Sequence, residues 1–139
     1  MEPNKDVARR IYEEVLNKRD LDLHDELVRQ DYIEHDPLPG QGEGLDGIRE
    51  RYTMLIEGLD PRFTIEDEIA EGDRVVVRWT NSGTHVGEFL GVPATNRPFS
   101  IAGIDIYRVQ DGKLAEHWHV VDMYAQLIQL GLLPAPQGA

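Results

Sequence analysis

The sequence predicts an α+β fold: N-terminal helices packed on a curved antiparallel sheet, forming a cone-shaped barrel that encloses a pocket. Three observations predict it. Helical periodicity dominates residues 5–59, β-branched alternation broken by tight turns fills 62–122, and one helical stretch closes the chain. Helices and strands segregated in this way pack as two layers, with the helices on one face of the sheet.

KDVARRIYEEVLNK (5–18) places Val7, Ala8, Ile11, Tyr12, Val15 and Leu16 on one side of an amphipathic helix. LDLHDELV (21–28) reads as a short second helix. DYIEHDPLPGQGEG, which follows, reads as a loop from its Pro and Gly content. Helical spacing returns over 45–59 through Ile48, Tyr52, Leu55, Ile56 and Leu59, and Gly58 and Pro61 mark its end. Residues 62–87 alternate and turn at Glu71-Gly72-Asp73, and 99–122 carry Asp111-Gly112 between alternating apolar residues, a strong hairpin signal. MYAQLIQLGLLPAP is the closing helix, with Gly131 at the C′ position and Pro134 as a stop.

The length suits one domain over residues 1–139. Acidic residues number 26 against 14 Lys and Arg, a net charge of −12, so a phosphate backbone is an unsuitable partner. The chain has no cysteine, which excludes disulfides, thiolate nucleophiles and cysteine-bound zinc. MEPNKDVARR lacks a signal-peptide core, and no run approaches the ~18 apolar residues of a membrane span. A cytoplasmic protein without a membrane partner is the expectation.

Several residues could carry chemistry. On the last strand Glu116, Trp118, Val120 and Asp122 share one parity, and His117, His119 and Val121 the other. On its neighbour Gly103, Asp105 and Tyr107 share one face, while Ala102, Ile104 and Ile106 form a wholly apolar one. Parity alone does not say which side is the pocket. Asp122 precedes a helix, where Asp is among the best N-caps, and it equally suits a pocket acid. His117 and His119 with a carboxylate would suit zinc or iron(II), but no third ligand stands out on their face, so no metal is expected and interface histidines are the plainer reading. His35, beside Asp36, and His85, between Gly83 and Gly87, read either as positioned acid/base groups or as loop anchors. His24 reads as solvated. Trp79 and Trp118 read as core or cavity wall, and Tyr12 as core with a hydroxyl in reach of a pocket. Asp105 reads as paired with Arg108 or with a base on the neighbouring strand, or as a pocket acid.

YIEHDP, WTNSGTHVGEFLGVPATNRP and DGKLAEHWHVVDMYAQLIQLGLLP together resemble the SnoaL-like polyketide cyclases. These belong to the nuclear transport factor 2-like cone superfamily, with ketosteroid isomerase, scytalone dehydratase and limonene epoxide hydrolase. The resemblance implies a cofactor-free acid/base enzyme acting on a small apolar, carbonyl-bearing ligand. In the cyclases an aspartate after an E-x-W-x-x-x-D pattern is the acid/base of an aldol closure, which puts that role on Asp122, with Glu116 and Trp118 completing the pattern. His35 and His85 would orient substrate, and Tyr12, Trp79, Asp105, Tyr107 and Trp118 would line its site. A second carboxylate at Asp105 suits dehydration, isomerisation or epoxide hydrolysis as well as aldol closure. The resemblance also implies a homodimer through the outer sheet face. A non-catalytic ligand-binding or dimerisation module of the same fold is the alternative.

Overall fold

The computed structural model describes residues 2–136. Helix α1 (Glu2–Arg10) continues into a π-helical turn, Ile11–Leu16, followed by α2 (Leu21–Leu27) and β1 (Val28–Glu34). Next come α3 (Gly44–Leu59), β2 (Phe63–Glu71), β3 (Arg74–Thr84), β4 (Pro98–Gln110), β5 (Lys113–Val121) and α4 (Met123–Gln129). The strands form one open sheet in the order β1-β5-β4-β3-β2. The β2–β3, β3–β4 and β4–β5 pairs are antiparallel, while β1 runs parallel to β5. The architecture is α+β as expected, but the sheet is mixed.

The difference lies in β1. In sequence Val28 reads as the end of the second helix and Asp31–Glu34 as the start of a loop, because that segment runs into Pro and Gly. They are nonetheless a strand because β5 offers a free edge, pairing Val28 with Leu114 and Glu34 with His117 across a register shift. The remaining elements follow local chemistry. Asp20 caps α2 by accepting from the Leu23 N–H at 3.2 Å. Asp111 and Gly112 both have positive φ, 54° and 74°, as a two-residue hairpin requires. Gly131, at φ 78°, ends α4, with the Leu132 N–H reaching back to the Leu127 carbonyl at 2.8 Å.

The first helix and α3 supply Ala8, Ile11, Tyr12, Val15, Leu16, Ile48, Tyr52 and Leu59 to the core. The inner face of the sheet meets them with Val75, Val77, Trp79, Ile101, Tyr107 and Leu114. His24, read as solvated, is fully buried with its ring edge-on to Tyr52. The outer sheet face carries an exposed apolar patch, with Ile104 and Val120 open and Ala102 beside them, next to the Arg108–Glu116 pair. The wholly apolar parity of β4 thus points away from the helices, and the parity holding Asp105 points inward.

The sheet closes over Trp79 because Gly103 leaves it room. A Cβ at Gly103 would lie 2.2 Å from Trp79 Cζ2. Gly103→Ala is therefore expected to cost ~1–3 kcal/mol through overpacking. Urea denaturation should read that loss, and tryptophan fluorescence should shift as the indole moves.

Candidate active site

Between helices and sheet lies a cavity of about 380 Å³, within the ~300–1,000 Å³ range of small-ligand sites. Leu55, Leu59, Phe63, Trp79, Ile101 and Val121 give it apolar walls. One end holds ionisable groups from four elements: Tyr12, Arg51, Asp105, His117 and His119, together with Asp36 from the segment after β1.

Asp105 is the centre of that end. One oxygen accepts from the Tyr12 hydroxyl, from Trp79 Nε1 at 2.8 Å and from the Tyr107 hydroxyl at 3.4 Å. The other meets His117 Nε2 at 2.9 Å. On its far side, His117 Nδ1 lies 2.8 Å from both oxygens of Glu34. Carboxylates accept only, so a ring held between two of them carries a proton on each nitrogen. Burial opposes that charge, but Asp105 and Glu34 outweigh it and raise the His117 pKa. Burial likewise pushes both carboxylates up, and His117 prevails, holding each below its ordinary value.

Arg51, only 7% exposed, completes the charge balance. One guanidinium nitrogen lies 3.4 Å from Glu34 and 3.1 Å from the Asp36 carbonyl. The other lies 2.9 Å from His119 Nε2. Burial, Arg51 and the His117 charge together lower the His119 pKa to about 4, so its ring is neutral near pH 7. Asp36 closes the group: its Oδ2 accepts from the His119 backbone N–H at 2.9 Å. Glu34, His117 and His119 each offer a ligand-type atom, all within 4.8 Å of one another. The positive charge drawn to that triad is the Arg51 guanidinium, and a metal ion would have to displace it.

Four expected site residues lie elsewhere. Asp122 is exposed and outside the cavity lining; its carboxylate accepts from the Ala125 N–H at 3.0 Å and caps α4. His35 stacks on Trp118 at 4.7 Å on the outer face, with Nε2 2.6 Å from Glu116. Arg74 lies 4.5 Å from the Trp118 ring centre, so that indole is part of the outer surface. His85 is buried, with Nδ1 3.1 Å from the Thr95 hydroxyl, and its backbone pairs with Arg97 and Asn96; it anchors the loop after β3. The physical reason is parity. Residues 116, 118 and 120 face outward, and Asp122 leaves the sheet where α4 begins.

Tyr12, Trp79, Asp105 and Tyr107 do line the cavity, and so do His117 and His119, which had read as interface residues. Asp105 has its partner on the neighbouring strand in His117, while Arg108 binds Glu116 outside. Sequence reading missed Glu34 and Arg51. Glu34 has the parity of Val28 and Tyr32, visible only once that segment is a strand. Arg51 follows Ile48 by three residues and precedes Leu55 by four, a cation inside an apolar stripe, and that signal was available.

The model of the SnoaL-like polyketide cyclase family matches residues 6–130. The chain belongs to that family. It is 31% identical to the aklanonic acid methyl ester cyclase of Streptomyces sp. (strain C5), covering 99% of this chain and 88% of that one. It is 28% identical to the nogalonic acid methyl ester cyclase of Streptomyces nogalater over 77% of this chain and 82% of the relative. The solved structure of TsrD from Streptomyces laurentii superposes with a TM-score of 0.86 at 31% identity, covering 95% and 97% of the two chains. Among the described residues of this SnoaL-like chain, no helix is long and apolar enough to cross a membrane.

The lowered His119 pKa has a consequence for stability. Between the ordinary value of 6.5 and about 4 the unfolded chain binds a proton that the folded chain does not. This group therefore lowers stability as pH falls through that window. His119→Gln is expected to lose less stability than the native chain between pH 6.5 and 4, measured by urea denaturation across a pH series.

Proposed function

We propose that the chain is a cofactor-free acid/base enzyme of the cyclase type, acting on a small polyketide-like ligand. It removes a proton α to a carbonyl and closes a ring by intramolecular aldol addition. The observation that carries this reading is the convergence of Asp36, Arg51, Asp105, His117 and His119 at one end of a cavity whose walls are apolar. Ionisable groups converging in a concave apolar site mark acid/base chemistry. The printed activities of its relatives, cyclases of aklanonic and nogalonic acid methyl esters, support the substrate class.

Hydrogen-bond accounting supports Asp36 as the proton acceptor. Asp105 already accepts from Tyr12, Trp79, Tyr107 and His117, and Glu34 from His117, Tyr32 and the Asp36 N–H. Asp36 has one oxygen engaged, at the His119 N–H, and sits where the cavity lining turns to solvent. In the proposed step the substrate C–H breaks and its proton passes to the Asp36 carboxylate. The electron pair moves onto the carbonyl oxygen as an enolate. Arg51, beside neutral His119, stabilises that negative charge from a site largely screened from water. The enolate carbon then bonds to a second carbonyl carbon, and Asp36 returns the proton to the new alkoxide. Asp122 stays a helix cap in this scheme.

The test is turnover of aklanonic acid methyl ester and nogalonic acid methyl ester, followed by chromatography. Asp36→Asn should lower kcat by ~10²–10⁴-fold, the usual worth of a positioned base. Asp122→Asn should keep turnover, and Asp122→Ala should cost ~1 kcal/mol of stability with activity retained. The reverse result, with Asp122→Asn inactive and Asp36→Asn active, would return the acid/base role to Asp122. No turnover of either ester and no exchange of their α-hydrogens in D2O would favour the non-catalytic ligand-binding module.

The same reading includes a homodimer through the outer sheet face, where Val120 is 68% exposed and Ile69 61% exposed. Apolar side chains clustered on an open sheet face favour burial against a partner. Light scattering should give twice the chain mass, and Val120→Glu should shift it to the monomer; a native monomer would exclude the pairing.

A further inference from the structure

The ionisable groups occupy only one end of the cavity. The other end holds two carboxamides, Asn81 and Gln126, each 3% exposed and each lining the cavity. The Gln126 side chain makes no hydrogen bond among the described residues, and its Nε2 is buried without a partner. Asn81 Oδ1 accepts from the Arg62 N–H at 3.2 Å, while its Nδ2 bonds to nothing among the described residues. Buried polar groups are nearly always paired, and an unpaired one calls for a physical reason. Gln126 Nε2 is such a group, and both carboxamides belong to the lining of one space.

Their positions are fixed by the strands and α4. Asn81 is the register partner of Ile101 on β4. Gln126 lies on α4 between Asp122, whose N–H bonds the Ala102 carbonyl, and Gln129, whose side chain bonds the Ser100 backbone. Both carboxamides therefore flank Ile101, four residues along β4 from Asp105. At ~3.4 Å per residue that is up to ~14 Å of strand. Trp79, Phe63 and Val121 lie along the space between and offer no charge. The cavity is polar at its two ends and apolar in its middle.

We infer that Gln126, with Asn81 beside it, is a distal recognition site for an oxygen acceptor on a ligand whose reacting carbonyl lies at the Asp36–Arg51 end. The inference rests on the cyclase reading for what happens at the charged end, and adds what the ligand must carry at the other. A side-chain carboxamide suits a ring carbonyl or phenol oxygen, because its NH2 donates without bringing a charge into the apolar middle. A site that hydrogen-bonds an oxygen rejects the analogue lacking it, since the buried donor is then left unpaired. The ligand thus carries an oxygen acceptor at the end remote from its reacting carbonyl, rather than a plain hydrocarbon tail or ring.

Two ligands of one shape separate the possibilities: methyl anthraquinone-2-carboxylate, with ring carbonyls, and methyl anthracene-2-carboxylate, without them. Binding is read by quenching of tryptophan fluorescence, Trp79 being the tryptophan in the cavity wall, in the native chain and in Gln126→Leu. The variant should bind the anthraquinone about three- to tenfold more weakly, the worth of one hydrogen bond. It should bind the anthracene ester unchanged. Its melting temperature should rise, because an apolar side chain replaces a buried amide without a partner. Gln126→Met, a second apolar variant of similar length, should repeat both effects and exclude a packing artefact of leucine. Equal weakening toward both esters, or no weakening toward either, would overturn the distal site. Turnover is a separate reading: inactivity toward aklanonic acid methyl ester with the Gln126 difference intact would remove the cyclase reading and support the distal site.

Discussion

Everything at the centre of this protein depends on one buried interaction, the imidazole of His117 held between Glu34 and Asp105. It joins three neighbouring strands, β1, β5 and β4, through side chains rather than backbone. The Tyr12 hydroxyl and the Trp79 indole fasten the first helix and β3 to the same carboxylate. Any member left alone would be a charge in an apolar interior, and removing one partner of such a pair typically costs ~3–5 kcal/mol. Arg51 extends the logic. With Glu34 and Asp105 negative and His117 and Arg51 positive, the group sums to zero, which is the condition under which it can remain buried.

In the middle of β4 that interaction departs from the usual sense of a two-layer sheet. Ordinarily the apolar parity of a strand faces the helices. On β4 the face carrying Ala102, Ile104 and Ile106 lies outside, and the face carrying Gly103, Asp105 and Tyr107 lies inside. A cavity explains the exchange. An inner face that is to bind a ligand needs polar groups and room, and Gly103 and Asp105 supply each. Hydropathy patterning assumes that the interior is full, and this interior is not.

The same assumption marks what could be read from the sequence. Helices, hairpins and caps were legible because each has a local cause: the stripe through Ile48, Tyr52 and Leu59, the Asp111-Gly112 turn, the C′ glycine at 131. β1 was not, because its pairing with β5 is parallel and distant in sequence, and nothing within VRQDYIE announces a partner. With β1 unseen, Glu34 had no face and His117 no second carboxylate, so the two histidines read as surface residues. Asp105 and Tyr107 were legible as a polar pair inside a strand. Their function as part of one connected group was not, since four of its members come from segments far apart in the chain. Gln126 shows a further limit: in a helix sequence an amide with no partner looks the same as a solvated one.

Asp122 illustrates why a motif fixes a position more firmly than a role. It follows Glu116 and Trp118 at even spacing, and even positions on β5 face outward, with Trp118 between Arg74 and His35. At the strand's end its N–H bonds the Ala102 carbonyl and its carboxylate turns back to the α4 amides, a use that holds it at the surface. Chemistry inside the cone must come from the odd positions, 117, 119 and 121, or from elements facing them. Position 119 holds a histidine kept neutral by burial and by Arg51, which suits it to hydrogen bonding and makes it a weak base. The proposed step takes its carboxylate from across the cavity mouth, where Asp36 is fastened by the backbone N–H of His119. In that proposal β5 would still govern the acid/base group, through its backbone instead of its aspartate.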